Sequence, residues 1–131
     1  MLSEPSSLVP PRARAFAPRG RLFLADCFVE QEAYRAPFDR YWRARIGAVE
    51  EYLAAAREAG LLLERSEDVS RLVANFWATT MALIRLEARD SNASPRESLR
   101  ARESLRVHSL MRRGLLDGGF RHMLMSFTKD C

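Results

Sequence analysis

One stretch limits what this chain can become more than any other. From Glu67 to Asp90 the apolar residues Val69, Leu72, Val73, Phe76, Trp77, Met81, Leu83, Ile84 and Leu86 alternate with Ala74, Ala78, Ala82 and Ala88. Plotted at helical spacing they fill an arc much wider than the ~100° stripe of a helix that covers a core with one side. Ser66 is placed to cap such a helix, and Glu67 and Asp68 suit its first turn. A helix of this kind buries two faces. The pattern therefore predicts that one side packs on its own domain and the other on a second subunit.

The remaining segments read as helices too. Leu22, Phe23, Leu24, Ala25, Cys27, Phe28 and Val29 leave almost no polar side, and the Glu-Gln-Glu-Ala that follows favours a buried helix from Arg21 to about Tyr34. Pro37 opens a second helix that runs to about Ala59 and ends on Gly60 in the left-handed conformation. Ser94-Pro95-Arg96-Glu97 is a capping box with proline at the first helical position, and it starts a helix to Arg113 that Gly114 closes. The expected fold is all-α, a bundle of four to five helices. Residues 1–18, with Pro5, Pro10, Pro11 and Pro18, form a flexible tail or linker, 19–116 the helical domain, and 117–131 a C-terminal tail with room for one short helix.

At 131 residues the chain is one domain's worth, and its 47% hydrophobic and 29% charged content suits a globular protein. No run approaches the ~18–20 apolar residues that span a bilayer. Glu4 stands where a signal peptide would carry positive charge, and Cys27 and Cys131 form no disulfide framework, so a reducing, cytoplasmic setting is expected. The net charge of +4 permits contact with nucleic acid without requiring it.

Chemistry is sparse. His108 and His122 are the histidines, and no His-x-x-x-His, Glu-x-x-His or Cys-x-x-Cys spacing supplies metal ligands. Gly118-Gly119 lacks the strand and lysine of a phosphate-binding loop. Neither catalytic residues nor a cofactor or metal site is predicted, and the chain reads as a protein without enzymatic activity. What remains is aromatic: large rings on helices that must pack together leave cavities, and apolar cavities with a few polar groups bind small molecules. The expected ligand-binding residues are Phe23, Asp26, Glu30, Trp42, Phe76, Trp77 and Met81, with Glu87 either a paired acid or a polar handle in a pocket.

Three elements in order, Ala-Arg-Glu-Ala-Gly-Leu-Leu (56–62), Ser-Glu-Asp-Val-Ser-Arg-Leu-Val-Ala-Asn-Phe-Trp-Ala-Thr-Thr-Met-Ala-Leu (66–83) and His-Ser-Leu-Met-Arg-Arg-Gly-Leu (108–115), resemble the C-terminal region of TetR-family transcriptional regulators. The resemblance implies an effector-binding and dimerisation domain whose last two long helices pair with their copies in a homodimer. Leu72, Phe76, Thr80, Leu83, Leu105, His108 and Met111 would be the interface. A small apolar or aromatic effector would sit between the preceding helices. The family's N-terminal helix-turn-helix has no counterpart before Arg21, so specific DNA binding by this chain alone is not expected. The alternative reading is a helical protein-interaction module without a ligand.

Overall fold

The first segment expected to be a helix is a strand. In the computed structural model, which describes residues 20–89 and 92–129, Arg21–Val29 forms β1, an extended strand of nine residues. A short helical turn, Glu32–Tyr34, leads into α1 (Arg35–Trp42), which ends on Arg43 in the left-handed region at φ 51°. After the loop come α2 (Val49–Glu58), β2 (Leu61–Asp68), α3 (Ser70–Ala88), α4 (Pro95–Asp117) and β3 (Phe120–Lys129). The all-α expectation is thus overturned: the architecture is α/β, with one three-stranded sheet.

The strand order is β1-β3-β2, both pairings antiparallel, so the segment closing the sequence lies in the middle of the sheet. The 117–131 tail with a short helix is corrected accordingly, since 120–129 is the central strand. The expected 1–18 tail lies outside the described residues. The register places Leu22, Leu24, Asp26 and Phe28 opposite Phe127, Met125, Met123 and Arg121, on one face. There α2 covers them, and Val49, Ala55, Ala56, Phe28, Leu61, Met123, Met125 and Phe127 form the first core. Phe28 is fully buried, and its ring meets Tyr52 edge-on at 4.7 Å.

The other face carries Phe23, Ala25, Cys27 and Val29 beside Ser126, Leu124, His122 and Phe120. Its Val29–Phe120 end lies under the helices, where Ala74, Val107, Met111 and Leu115 close the second core. Its other end is open, leaving Phe23 73% and Leu124 42% exposed. A bulge in β2 between Leu63 and Arg65 shifts the register, so Arg65 and Glu67 stand on this second face and Leu61 and Leu63 on the first.

Local chemistry sets the element ends. Gly60 turns the chain from α2 into β2 at φ +76°, as its place after a helical stripe predicts. Ser94 accepts from the Glu97 amide at 3.1 Å while Glu97 accepts from the Ser94 amide at 3.2 Å, completing the predicted capping box. The helix it starts runs past Gly114 to Asp117, where Gly118 takes the left-handed position at φ +91°. Gly114 is instead an interior glycine that lets the Phe120 ring lie against the helix. The start of α3 is tied to the sheet through Ser70: its amide and hydroxyl both donate to Asp68 Oδ1, and its Oγ accepts from the His122 amide at 3.0 Å.

Candidate functional site

Two long antiparallel helices, α3 and α4, leave the sheet as a hairpin inserted between β2 and β3. Their facing sides hold Trp77 and His108, and α1 adds Tyr41 and Trp42 from the flank. The four rings form one group. Trp77 lies 4.8 Å from the His108 imidazole, Trp42 6.1 Å and Tyr41 6.3 Å. Trp42 also meets Tyr41 at 4.8 Å and Trp77 at 6.2 Å, and Phe76 extends the line outward from Trp77 at 6.1 Å. Trp42 and Phe76 reach the surface, whereas His108 is only 6% exposed.

Hydrogen bonding fixes one nitrogen of that histidine. Nδ1 lies 2.7 Å from the Ser104 carbonyl oxygen, which can only accept, so Nδ1 carries a proton. The Tyr41 hydroxyl donates to Ser104 Oγ at 3.1 Å, and that oxygen stands 3.3 Å from Nδ1. No group among the described residues bonds Nε2.

Tyr41 and Ser104 also line an open cavity of about 900 Å³ between the end of α3 and the start of α4. Ile84, Leu86, Ala88 and Ala101 supply apolar wall, and Glu87, Glu103 and Arg100 supply charge at its mouth. Because α3 and α4 are antiparallel, Trp77 and His108 lie one layer deeper than Ile84 and Ser104. The Tyr41–Ser104 pair is therefore at once the inner wall of the cavity and the link to the aromatic group. No group of three or more His, Cys, Asp or Glu side chains able to hold a metal occurs among the described residues.

The structure gathers some of the sequence-predicted residues here and disperses others. Trp42, Phe76 and Trp77 share this site, and Met81 is buried on the same helix. Phe23 points from the open face of the sheet. Asp26 is on the opposite face, where it accepts from the Cys27 amide at 2.8 Å and from the Tyr52 hydroxyl at 3.4 Å. Glu30 pairs with Arg121 at 3.1 Å, at the end of β1. Of the residues expected at a subunit interface, Leu72 and Leu83 are exposed on α3 together with Phe76, and Thr80 donates to the Phe76 carbonyl of its own helix. Leu105 is half-buried, and His108 and Met111 are buried within this chain. Glu87 is exposed at the cavity mouth. Sequence reasoning missed Tyr41 and Ser104 as site residues and read His108 as an interface residue. The available signal was Ser104 and His108 four apart, on one side of a helix that begins at an unmistakable cap.

No family profile and no curated protein matches the sequence. Solved structures do match. A candidate sarcosine dimethylglycine methyltransferase from Galdieria sulphuraria superposes with a TM-score of 0.79 at 19% identity, over 98% of this chain and 49% of that one. A cyclopropane synthase from Mycobacterium tuberculosis gives 0.78 at 10% identity, over 96% and 50%. Geranyl diphosphate C-methyltransferase from Streptomyces coelicolor A3(2), in complex with Mg2+, geranyl diphosphate and S-adenosyl-L-homocysteine, gives 0.71 at 15% identity, over 98% and 43%. The chain thus spans about half the length of the structures it matches, and at these identities what it shares with them is the fold. That fold overturns the TetR resemblance: β1, β2 and β3 have no place in a TetR bundle, and the neighbours are methyltransferases and cyclopropane synthases rather than transcription regulators. The effector-sensing homodimer drawn from it falls with it, and the separate expectation of a protein without enzymatic activity is overturned by neighbours that are methyltransferases and cyclopropane synthases.

Proposed function

We propose that this chain is the substrate-side part of an S-adenosylmethionine-dependent methyltransferase, with the methyl acceptor held in the α1–α3–α4 site. The observation that carries the reading is the superposition of nearly the whole chain, sheet and inserted hairpin together, on about half of enzymes of that type. Two features of the chain agree. The outer edge of β1 is unpaired among the described residues although its side chains are apolar on both faces, the pattern of a strand inside a larger sheet rather than at its rim. And the open half of the second face exposes Phe23 and Leu124 beside Arg65 and Glu67, apolar side chains of the kind a further layer covers.

In this reading the cofactor is held by the part of the fold that this chain does not span, because the chain's sequence has no glycine-rich phosphate-binding turn. Ring faces stabilise positive charge, and a methyl group transferred from a sulfonium carries partial positive charge in the transition state. Trp42, Phe76, Trp77 and Met81 are the predicted ligand-binding residues kept in this proposal. Among the described residues no helix is long and apolar enough to cross a membrane. A cytoplasmic location fits the free thiol of Cys27.

The test is methyl transfer. The tagged chain, recovered from its own cells with whatever it is joined to or assembled with, is incubated with methyl-labelled S-adenosylmethionine and a small-molecule and lipid extract of those cells. Label should appear in an extract component and fall at least tenfold with Trp77→Ala, with the variant's stability checked alongside. No transfer and no retention of S-adenosylmethionine would overturn the proposal.

A further inference from the structure

The outer side of α3 is apolar and open. Leu72, Phe76, Leu83 and Leu86 are 70%, 64%, 58% and 59% exposed, and steps of four, seven and three residues set them in one stripe. The stripe lies opposite the buried Ala74 and Met81, so it belongs to neither core. At 1.5 Å per residue it is about 21 Å long. Contiguous exposed apolar surface of this kind marks a place of interaction. Its polar atoms are already satisfied. Thr79 falls within the stripe and Thr80 beside it, and their hydroxyls donate to the carbonyls of Asn75 at 3.4 Å and Phe76 at 3.2 Å. Sinking the stripe into an apolar medium therefore leaves no threonine hydroxyl unpaired. Cations border it. Arg71, Arg85 and Arg89 stand exposed along one flank, and among the described residues none of them is paired with a carboxylate. Glu87 is the only acid in the α3 sequence.

We propose that α3 docks this chain on an anionic lipid surface, with the four apolar side chains at the acyl boundary and the three arginines among the headgroups. Large apolar residues on one side of a helix with arginines beside them are the pattern of a helix lying in a membrane interface. The inner side of α3 keeps its place in the second core, so docking requires no unfolding. Charge selects this occupant. A second copy laid antiparallel on the stripe would set Arg71 beside Arg85 and Arg89 of that copy, like charge against like, whereas a layer of anionic headgroups meets all three. Leu86 also lines the α3–α4 cavity, so the docked chain turns the mouth of that cavity toward the lipid. The inference stands on the stripe and its charges and does not rest on methyl transfer.

The test is vesicle flotation of the tagged chain, recovered with whatever it is joined to or assembled with. It reads no methyl transfer, so either proposal can fail alone. The chain should float with vesicles of phosphatidylglycerol and phosphatidylcholine and bind vesicles of phosphatidylcholine alone more weakly. At about 1 M salt, where charges are screened beyond about 3 Å, the preference for the anionic vesicles should disappear. Leu72→Ser together with Leu83→Ser should lower binding at least tenfold. Arg71→Gln and Arg85→Gln should each lower it roughly fivefold on anionic vesicles. Leu63→Ser, at an exposed leucine on the first face of the sheet, should leave binding unchanged. All these side chains are exposed, and circular dichroism verifies the fold of each variant. Absence of flotation on anionic vesicles, or flotation that survives the paired leucine substitutions, would overturn the proposal. So would a dimer seen by light scattering, or a bound polypeptide, that those same substitutions release, because the stripe would then belong to protein.

Discussion

Gly114→Ala puts two opposing effects on one atom. In an exposed helix interior the change stabilises by about 1 kcal/mol, because glycine gives up more backbone freedom than alanine. At position 114 the new Cβ would overlap Phe120 Cδ2, stand 2.9 Å from Cε2 of the same ring and 3.1 Å from Tyr34 Cε1. Carbon atoms rest at about 3.5–4.0 Å, so the ring would have to retreat by roughly 1 Å. It has nowhere to go: Phe120 is 0% exposed, with Tyr34 edge-on at 5.0 Å and Phe38 at 5.8 Å. Overpacking of this kind costs about 1–3 kcal/mol, and the fully buried Phe120 ring places this case at the upper end. Subtracting the helix gain leaves a net loss of about 2 kcal/mol. Urea unfolding followed by tryptophan fluorescence should show the midpoint falling by roughly 1 M at an unchanged slope. Phe120→Leu removes the overlapping ring edge, so in a double-mutant cycle Gly114→Ala should cost at least about 1 kcal/mol less on that background. Gly118→Ala is the control. At φ +91° with open space around it, it meets only backbone strain and should add independently to Phe120→Leu. A midpoint for Gly114→Ala at or above that of the parent chain, or strict additivity with Phe120→Leu, would refute the packing argument.

Three further outcomes follow from single contacts. Ser94→Ala removes the hydroxyl that accepts from the Glu97 amide at the start of α4, keeps the backbone N–H that donates to Glu97, and should cost about 1 kcal/mol in thermal or urea unfolding; an unchanged midpoint would mean the hydroxyl bond forms without stabilising the helix. Burial by itself raises the Asp68 carboxyl, but the Ser70 hydroxyl and amide and the Arg121 guanidinium outweigh it and hold the group below its ordinary value. A depressed folded-state value contributes stability that is complete above the ordinary carboxylate range, about pH 4, and is lost as pH falls through the folded value. Asp68→Asn should therefore flatten the acid side of a stability–pH curve, and an identical acid slope would count against it. Burial first, and Asp26 second, push the Cys27 thiol up to about 12. At pH 8 its thiolate fraction is then about one in ten thousand, against roughly a quarter for a free thiol. In a Cys131→Ser background Cys27 should react with a disulfide reagent only after urea is added, and rapid reaction of the folded chain would show the site to be open.

The parts of this fold that were legible in the sequence are those with local chemistry: the Ser94–Glu97 cap, the turn at Gly60, and α3 as a long helix with more apolar surface than one side needs. The strands were hidden for three different reasons. β1 is apolar on both faces, with Leu22, Leu24 and Phe28 against α2 and Phe23, Ala25, Cys27 and Val29 on the other side, so the period of two never appears. β2 is the reverse, an edge strand with only Leu61 buried, and its Ser66-Glu67-Asp68 has the composition of a helix start. In β3 the alternation Met123, Met125, Phe127 was present, but Phe120, Met123, Leu124 and Phe127 also sit at helical spacing, and only the tertiary partner decides between them. The site suffered the same loss. Trp77 was expected to line a pocket, but its meeting with His108 depends on the α3–α4 pairing, and its meeting with Trp42 on α1 breaking off at Arg43 instead of running on to Ala59.

That β3 comes last in the chain and lies centrally in the sheet also explains how the site is held. Among the described residues each of β1 and β2 pairs only with β3, so neither has a ladder there until Phe120–Lys129 arrives, about a hundred residues after β1 begins. Contacts that far apart form late, because loop closure must be met before they stabilise anything. The helical hairpin bearing Trp77 and His108 is the connection between two adjacent antiparallel strands, a place a two-residue turn could fill. Its 50 or so residues cover the Val29–Phe120 end of the sheet with Ala74, Val107, Met111 and Leu115, and beyond that layer they pack on each other and on α1. Both ends are tied: Ser70 joins Asp68 to the His122 amide, and Asp117 accepts from the Gly119 amide at 2.9 Å and from the Tyr34 hydroxyl at 2.7 Å. An insertion anchored firmly at its base and buried at only one layer above it can change its far end, where the cavity opens, without disturbing the strands. The sheet supplies position, and the residues from Trp77 outward carry the proposed site.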